Sequence, residues 1–388
     1  MSIKKYTISC DRSVYEAWPD LVLLPDGKLL CVFSECVHHG DRSRTRIVLT
    51  TSSDRGRSWS PKRPVLASRP EDGFSYNCAR LSILRDGRIG LCVDRVPSGS
   101  EPDVSARAEV LLLFSADAGR SWSRPAVTPL HGIVPDKLLE LASGRWLISA
   151  HCVEDGLMIQ YLHYSDDRGR TWSPRIVVAK SKKYRVCEVS ILPLDEKTLV
   201  AFLRENSGTG CDCLKTISHD GGQTWGRIIH FPLPGCHRPV AGFLHDGRIM
   251  ITYRFMQGGR GWLGTWTQNF FVAVTDRESV LAARRNQAAT RIMPVDYDRS
   301  PQSDLGYSGW VQFPDGEIYI AGYIADDAYD KGQIRGYSFS PDEFILPDRS
   351  PIVPKTESAM TAVNSRRDSG KDLSVKKKEK SLVPASTL

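Results

Sequence analysis

The sequence predicts an all-β chain, a six-bladed β-propeller built from four-stranded antiparallel blades. Three observations predict it. Six hairpin signatures recur along the chain. Four copies of the string S-x-D-x-G-x-[ST]-W lie between them, beginning at Ser52, Ser115, Ser165 and Ser218. Helical periodicity is nearly absent. A repeat at this spacing is the mark of an array of similar units, so it takes precedence over any single motif.

The hairpins come first in each unit. They read "LVLLPDGKLLCVF" (21–33), "LSILRDGRIGLCV" (81–93), "LLELASGRWLISA" (138–150), "VSILPLDEKTLVAF" (189–202), "VAGFLHDGRIMITY" (240–253) and "WVQFPDGEIYIAGY" (310–323). Short apolar runs split by a tight turn of Asp-Gly character are antiparallel hairpins. Four of them are followed by a third strand, "RIVLTTS", "EVLLLFS", "MIQYLHYS" or "CLKTIS", then by the repeated string and a further short strand such as "PVLA" or "RIVVA". Each unit therefore supplies about four strands. Six units of roughly 58 residues fit blades packed radially around a channel. The one helical turn expected lies within 277–289, "RESVLAARRNQAA".

The repeated string reads as a structural device. Its Gly supplies a turn conformation with positive φ, and its Ser and Asp side chains can hydrogen-bond turn amides. Its Trp is expected to anchor the hairpin by burying a large ring. One active site does not need four copies of an aspartate.

The bulk properties exclude several classes. The formal net charge is +7, but part of it sits in "KKKEK" at 376–380 and no compact basic motif is present. Nucleic acid is therefore not expected as a partner, while an anionic substrate suits the charge. No apolar run approaches the roughly 20 residues of a membrane span. The N-terminus "MSIKKYTISCDRSVYEAWPD" lacks an apolar signal-peptide core. Ten scattered cysteines, several in apolar strand-like runs, suit reduced thiols. A cytoplasmic setting is the expectation. "HH" at 38–39 and "CDC" at 211–213 lack a second spaced pair, so neither metal nor organic cofactor is expected. The propeller is assigned to 1–350. Residues 351–388, rich in Ser, Lys and Pro and without a periodic apolar face, read as a disordered tail.

In a propeller the starts of the innermost strands converge on one face of the channel. Nine positions before the turn glycine stand Trp18, Cys78, Pro135, Arg238 and Tyr307. In the fourth unit the turn is irregular and Glu188 begins the strand. A carboxylate, a phenol and a guanidinium in one ring can form a site. Equally, Glu188 and Tyr307 can be ordinary strand-end residues.

The repeated string resembles the Asp-box, or BNR repeat, of the sialidase superfamily, over residues of about 10–345. The resemblance implies the propeller. It implies function less specifically, since Asp-boxes also occur in non-enzymatic propellers. In sialidases a Tyr is the nucleophile, a Glu activates it, an Asp is the acid/base and three arginines grip the substrate carboxylate. "YSGWVQFPDG" (307–316) resembles the nucleophile motif and implies Tyr307 in that role. "CEVSILPLDEKTLVAFLREN" implies Glu188 and Arg204, and "HHGDRSRTRIVLTTSSD" implies Asp41 as acid/base. Arg254 and Arg260 compete as a further arginine, and Arg238 is a third contact. One departure stands out: the family's first arginine, from an R-I-P motif, falls on Ala17 in "EAWPDLVLLPDG". The implied activity is a retaining exo-glycoside hydrolase acting on a terminal, acidic, sialic-acid-type sugar of a glycan. The alternatives are a hydrolase of the same fold for another terminal sugar, with Trp18 as a stacking platform, and a non-catalytic glycan- or protein-binding propeller.

Overall fold

A computed structural model of the chain describes residues 3–99, 104–257, 267–326 and 331–343. Six four-stranded antiparallel sheets make up the six blades. Blade one runs outward from β2 (Tyr15–Leu23) through β3 (Leu29–Cys36) and β4 (Thr45–Ser52) to β5 (Arg63–Ser68). Blade two is β6 (Phe74–Ile83), β7 (Ile89–Pro97), β8 (Glu109–Ser115) and β9 (Ala126–His131). Blade three is β10 (Leu139–Glu140), β11 (Trp146–Glu154), β12 (Leu157–Ser165) and β13 (Ile176–Lys180). Blade four is β14 (Val186–Pro193), β15 (Leu199–Glu205), β16 (Asp212–Ser218) and β17 (Ile229–Pro234). Blade five is β18 (Cys236–Phe243), β19 (Ile249–Gln257), β20 (Thr267–Thr275) and β21 (Arg291–Tyr297). All six hairpins fall where the apolar runs put them.

Blade six differs. Its inner strands are β22 (Leu305–Gln312), β23 (Ile318–Ile324) and β24 (Gln333–Phe339), and its outermost strand is β1 (Lys4–Ser9) from the other end of the chain. Lys4 pairs with Ser338 and Thr7 with Arg335. The ring is thus closed within blade six by main-chain hydrogen bonds between the first and last strands of the chain, which pair the outer edge of β24. Nothing local in "KKYTIS" announces this partner.

The helical turn is α1 (Arg277–Leu281), capped by Asp276, whose Oδ1 accepts from Ser279 N at 2.7 Å. It joins β20 to β21. In blades one to four the corresponding connection carries the repeated string. There the geometry is the same four times. Ser52, Ser115, Ser165 and Ser218 Oγ accept from the box glycine amides of Gly56, Gly119, Gly169 and Gly222 at 2.7–2.9 Å. The aspartates Asp54, Asp117, Asp167 and Asp220 take the amide of the following Ser or Thr on Oδ1 and its hydroxyl on Oδ2. These hydroxyl and amide bonds hold Asp167 down to about 2, and Asp54 and Asp117 lower still. Spent on their own turns and solvent-facing, these carboxylates are structural.

The Trp of each string is half-buried rather than enclosed: Trp59, Trp122, Trp172 and Trp225 each keep one edge in solvent. The string sits at the rim of the blade, where only one side of the ring has neighbours. Trp172 packs on the cluster containing Trp146 and Ile148. Trp172→Ala is therefore expected to lower unfolding free energy by about 1–3 kcal/mol, below the cost of a fully enclosed Trp. Turnover per folded molecule should not change, which a urea titration paired with activity normalised to folded protein checks.

Apolar clusters fill each blade interface; Leu30, Val32 and Leu49 of blade one meet Leu81, Leu91 and Leu113 of blade two. Nearer the axis, buried carboxylates stitch blades together through main-chain amides. Asp20 accepts from Leu81 N at 2.7 Å, Asp94 from Val134 N at 2.9 Å and Asp136 from Ile191 N at 2.8 Å. The expected tail, 351–388, lies outside the described residues. Among the described residues no helix is long and apolar enough to cross a membrane.

Candidate active site

The site forms where the inner strands start. In five of the six blades the inner strand breaks its register there: between Ala17 and Asp20, Tyr76 and Ala79, Cys187 and Val189, His237 and Val240, and Gly306 and Ser308. The residue in the gap is a bulge, which re-aims its side chain. Trp18, Glu188, Arg238 and Tyr307 sit there with φ of +55°, +43°, +49° and +36°. Left-handed backbone at large non-glycine residues costs on the order of 1–3 kcal/mol each and persists only where packing imposes it. In blade three this residue is Val134, φ +50°, so the expected ring position at Pro135 shifts by one. The cause is that β10 is only two residues long, and the stretch before it is held instead by Asp94 and by the Ile133–His151 bridge. Cys78 of blade two keeps negative φ and is buried.

Tyr307 donates its phenolic hydrogen to Glu188 Oε1. Arg204 donates to the same oxygen at 2.7 Å and, through its other terminal nitrogen, to Asn206 Oδ1 at 2.5 Å. Glu188 Oε2 and the Nε atoms of Arg204 and Arg254 are buried without a hydrogen-bond partner. The Arg254 guanidinium lies 5.5 Å from the Tyr307 ring centre. Its own bonds are long: 3.2 Å to Leu305 O, 3.4 Å to Gln268 Oε1 and 3.4 Å to His237 Nδ1. A buried guanidinium held so loosely retains donor capacity for an acceptor.

Charge follows from this crowding. Burial alone would raise Glu188, but the guanidiniums of Arg204, Arg254 and Arg238 more than reverse that and hold it far below the usual carboxylate range. Burial, reinforced by the Glu188 charge, drives the Tyr307 phenol well above its ordinary value. At rest the proton therefore stays on Tyr307, facing an ionised acceptor. A developing positive charge above Oη would stabilise phenolate and tip the proton to Glu188.

His151 closes the site from behind, its Nδ1 accepting from Glu188 N at 3.4 Å. Burial pushes His151 down to about 4 and His237 to about 2, so both are neutral in the folded protein at physiological pH. In the unfolded chain each takes a proton near pH 6.5. As pH falls from about 6.5 toward 4 the unfolded state binds protons that the folded state refuses, and stability declines. His151→Gln should flatten the midpoint of urea unfolding against pH across that window; an unchanged slope would rule His151 out as a source.

The other expected residues lie as follows. Arg238 is buried, with its terminal nitrogens on Val189 O at 3.4 Å and Pro135 O at 3.0 Å, and its guanidinium 5.7 Å from the Tyr307 ring. It props the floor across three blades with its terminal nitrogens on carbonyls, while its Nε, like those of Arg204 and Arg254, is buried without a partner. Trp18 is buried against Tyr15, His39 and Tyr323, with the Arg42 guanidinium 4.2 Å over its face. A sugar would have to displace Arg42 to stack there. Asp41 stands exposed in the β3–β4 loop, bridged to His38, with Oδ1 accepting from Ser43 N at 3.0 Å. The Ser43 hydrogen bonds lower its carboxyl. Ala17 is wholly buried. Arg260 lies outside the described residues. Sequence reasoning missed Asn206, His151, His237 and a cluster of Tyr15, His39, Asp304 and Tyr323. Of these residues only His39 belongs to a motif that the sequence singles out, the "HH" pair at 38–39.

Fold and site together define a sialidase-like propeller with a buried Tyr–Glu pair flanked by arginines. The sequence profile of the BNR repeat-like domain matches residues 96–320, and the chain belongs to that family. No curated protein matches it in sequence. Among solved structures, a protein of unknown function from Dyadobacter fermentans is 20% identical, with a TM-score of 0.70 over 87% of this chain and 98% of that one. A leech intramolecular trans-sialidase, complexed with 2,7-anhydro-Neu5Ac, is 15% identical with a TM-score of 0.64 over 86% and 69%. The intramolecular trans-sialidase of Ruminococcus gnavus is 15% identical with a TM-score of 0.63 over 87% and 96%. At these identities the likeness is one of fold.

Proposed function

We propose that the protein is a retaining exo-glycoside hydrolase that removes a terminal, acidic, sialic-acid-type sugar from a glycan. The observation that carries this reading is the hydrogen bond from Tyr307 to a Glu188 carboxylate held ionised by arginines. Tyr307 Oη attacks the anomeric carbon as Glu188 takes its proton. A neutral phenol avoids the repulsion that a carboxylate nucleophile would meet from an anionic sugar. Arg204 and Arg254 hold the substrate carboxylate, with Arg238 supporting the floor beneath. The resemblance assigns the proton for the leaving oxygen to Asp41 in the β3–β4 loop of blade one.

Ala17 favours a second reading, a hydrolase of the same fold for a sugar without a carboxylate. A panel of chromogenic α-sialosides and other aryl glycosides separates the two. Retained anomeric configuration in early product, read by NMR, is expected in either case, and inverted product would remove Tyr307 from the nucleophile role. Under the acidic-sugar reading, Arg254→Lys keeps the charge but loses the planar fork. Its kcat/KM should fall about tenfold to a hundredfold on the acidic substrate and little on a neutral analogue. Equal losses on both would favour the neutral-sugar hydrolase.

A further inference from the structure

A cavity of about 480 Å³ stands apart from the Tyr307 site, between β21 of blade five and the outer strands β24 and β1 of blade six. Its volume is within the range of small-ligand sites. Lys5, Arg299, Arg335, Asp296, Asp326 and Tyr297 line it. It lies toward the face on which the inner strands start. Leu305, the first residue of β22, pairs with Ile324 at the end of β23, and Asp326 follows two residues later. From the other side, β21 ends at Tyr297 and the connection 298–304 runs into β22.

Two buried carboxylates hold the cations of this cavity from behind. Asp296 Oδ2 accepts from Arg335 at 2.8 Å and from the Tyr337 hydroxyl at 2.9 Å, and its Oδ1 accepts from Lys5 Nζ. Asp326 accepts from Arg335 at 2.8 Å and from Arg299 at 2.8 Å and 3.2 Å. Asp326 itself has φ +47°, and its amide donates to Asp298 Oδ1 at 3.0 Å, which fixes the strained backbone. The Lys5 and Arg299 side chains nevertheless stay 47% and 65% exposed. Among the described lining residues three positive charges share two negative ones. An ammonium has three donors, and among the described residues Asp296 is the only partner of Lys5 Nζ. One further carboxylate would balance the charge.

The lining also offers an aromatic face. The Tyr297 amide donates to Asp296 Oδ1 at 3.0 Å, which ties its backbone to the charged wall. Its side chain is exposed, and its ring makes no stacking or cation–π contact among the described residues. Tyr6, also in the lining, is held by stacking on Tyr319 at 6.2 Å between ring centres. A bare inorganic anion would use the cations and leave the aromatic ring idle. A ligand that uses both has a ring with an apolar face and a carboxylate on it.

We infer that this cavity is a second sugar site, which takes a carboxylate-bearing sugar residue of a glycan, a uronate or a sialate. The carboxylate meets the Lys5 ammonium in the field of Arg299 and Arg335, and the sugar ring lies on Tyr297. The inference needs no turnover and stands independently of any role of Tyr307 as nucleophile. A site there holds an acidic glycan on the face that carries Tyr307 and raises the effective concentration of its chain ends at that face.

The test is a ligand-observed NMR titration of the full chain, in which any turnover shows as new peaks. The probes are methyl β-D-glucuronide, methyl α-sialoside, methyl β-D-glucoside and inorganic phosphate. Lys5→Met should weaken the carboxylated sugars about tenfold to a hundredfold and leave the glucoside unchanged. Tyr297→Ala should weaken all three sugars about threefold to tenfold and leave phosphate unchanged. Both side chains are about half-exposed, so the urea midpoints of the two variants should stay close to that of the wild type. The binding lost in Lys5→Met should survive in Arg254→Lys, and the tighter of the two carboxylated probes identifies the sugar. Equal affinities in wild type and both cavity variants would overturn the inference. So would a glucoside bound as tightly as the glucuronide, or phosphate bound as tightly with Tyr297→Ala without effect on any sugar. Binding that is lost in Arg254→Lys and kept in Lys5→Met belongs to the Tyr307 site and overturns it too. Cleavage of aryl glycosides by the wild type tests the hydrolase reading separately, and neither result decides the other.

Discussion

Tyr307→Phe should reduce kcat by at least roughly 10³-fold on any substrate the wild type accepts, with KM and folding nearly unchanged. The substitution removes one oxygen from a site that remains packed. Glu188 Oε1 keeps its bond from Arg204, so the loss of stability should be no more than about one hydrogen bond, ~1 kcal/mol. Glu188→Gln should be as inactive but less stable. Its carboxylate offsets the fields of Arg204, Arg254 and Arg238, and removing it leaves buried positive charge uncompensated, typically a cost of about 3–5 kcal/mol. Under the proposed mechanism both residues serve one nucleophile, so the double variant should be hardly slower than either single one. The measurement is single-turnover kinetics beside urea unfolding. Additive losses would mean that Tyr307 and Glu188 act separately, and an active Tyr307→Phe enzyme would remove the phenol from the chemistry.

Gly56→Ala should lower stability strongly for a single added methyl. Gly56 has φ +82°, and an added Cβ would stand 2.2 Å from the Tyr319 ring. Tyr319 is fully buried and donates its hydroxyl to Gly56 O at 2.9 Å, locking blade one to blade six. The positive φ costs about 1–2 kcal/mol for alanine, and forcing the ring aside adds about 1–3 kcal/mol. Gly27 is the control: its φ is +83° and its Cβ would meet nothing within 4 Å. Gly27→Ala should cost only the backbone term. Equal shifts of the urea midpoint in the two variants would show that the box does not wedge against the neighbouring blade.

These two expectations mark different depths of legibility. The box glycine could be read as a turn residue because four copies of one string repeat the same local hydrogen bonds. That its methyl position is filled by Tyr319 could not be read, since the two residues are 263 apart in sequence. The ring of site residues was legible for a local reason too. A tight turn fixes how many strand residues separate it from the bulge, so counting back from the turn glycine reached Trp18, Arg238 and Tyr307. In blade three the same count reached Pro135, and the bulge lies at Val134, because a two-residue strand does not carry the register.

By itself, then, the sequence determined the β class, the number of blades, the turn chemistry and the positions from which Glu188 and Tyr307 reach the axis. All of these depend on hydrogen bonds and periodicities within a hairpin. Only the tertiary structure decided that β1 closes the last blade, that Arg238 binds carbonyls of two other blades while Arg254 keeps donors to spare, and that His39 meets Asp304. Those outcomes depend on packing between blades. His39 and Asp304 lie 265 residues apart and share neither strand nor turn. Residues so separated meet only when the ring closes, and no local pattern encodes which side chain then fills the space between them.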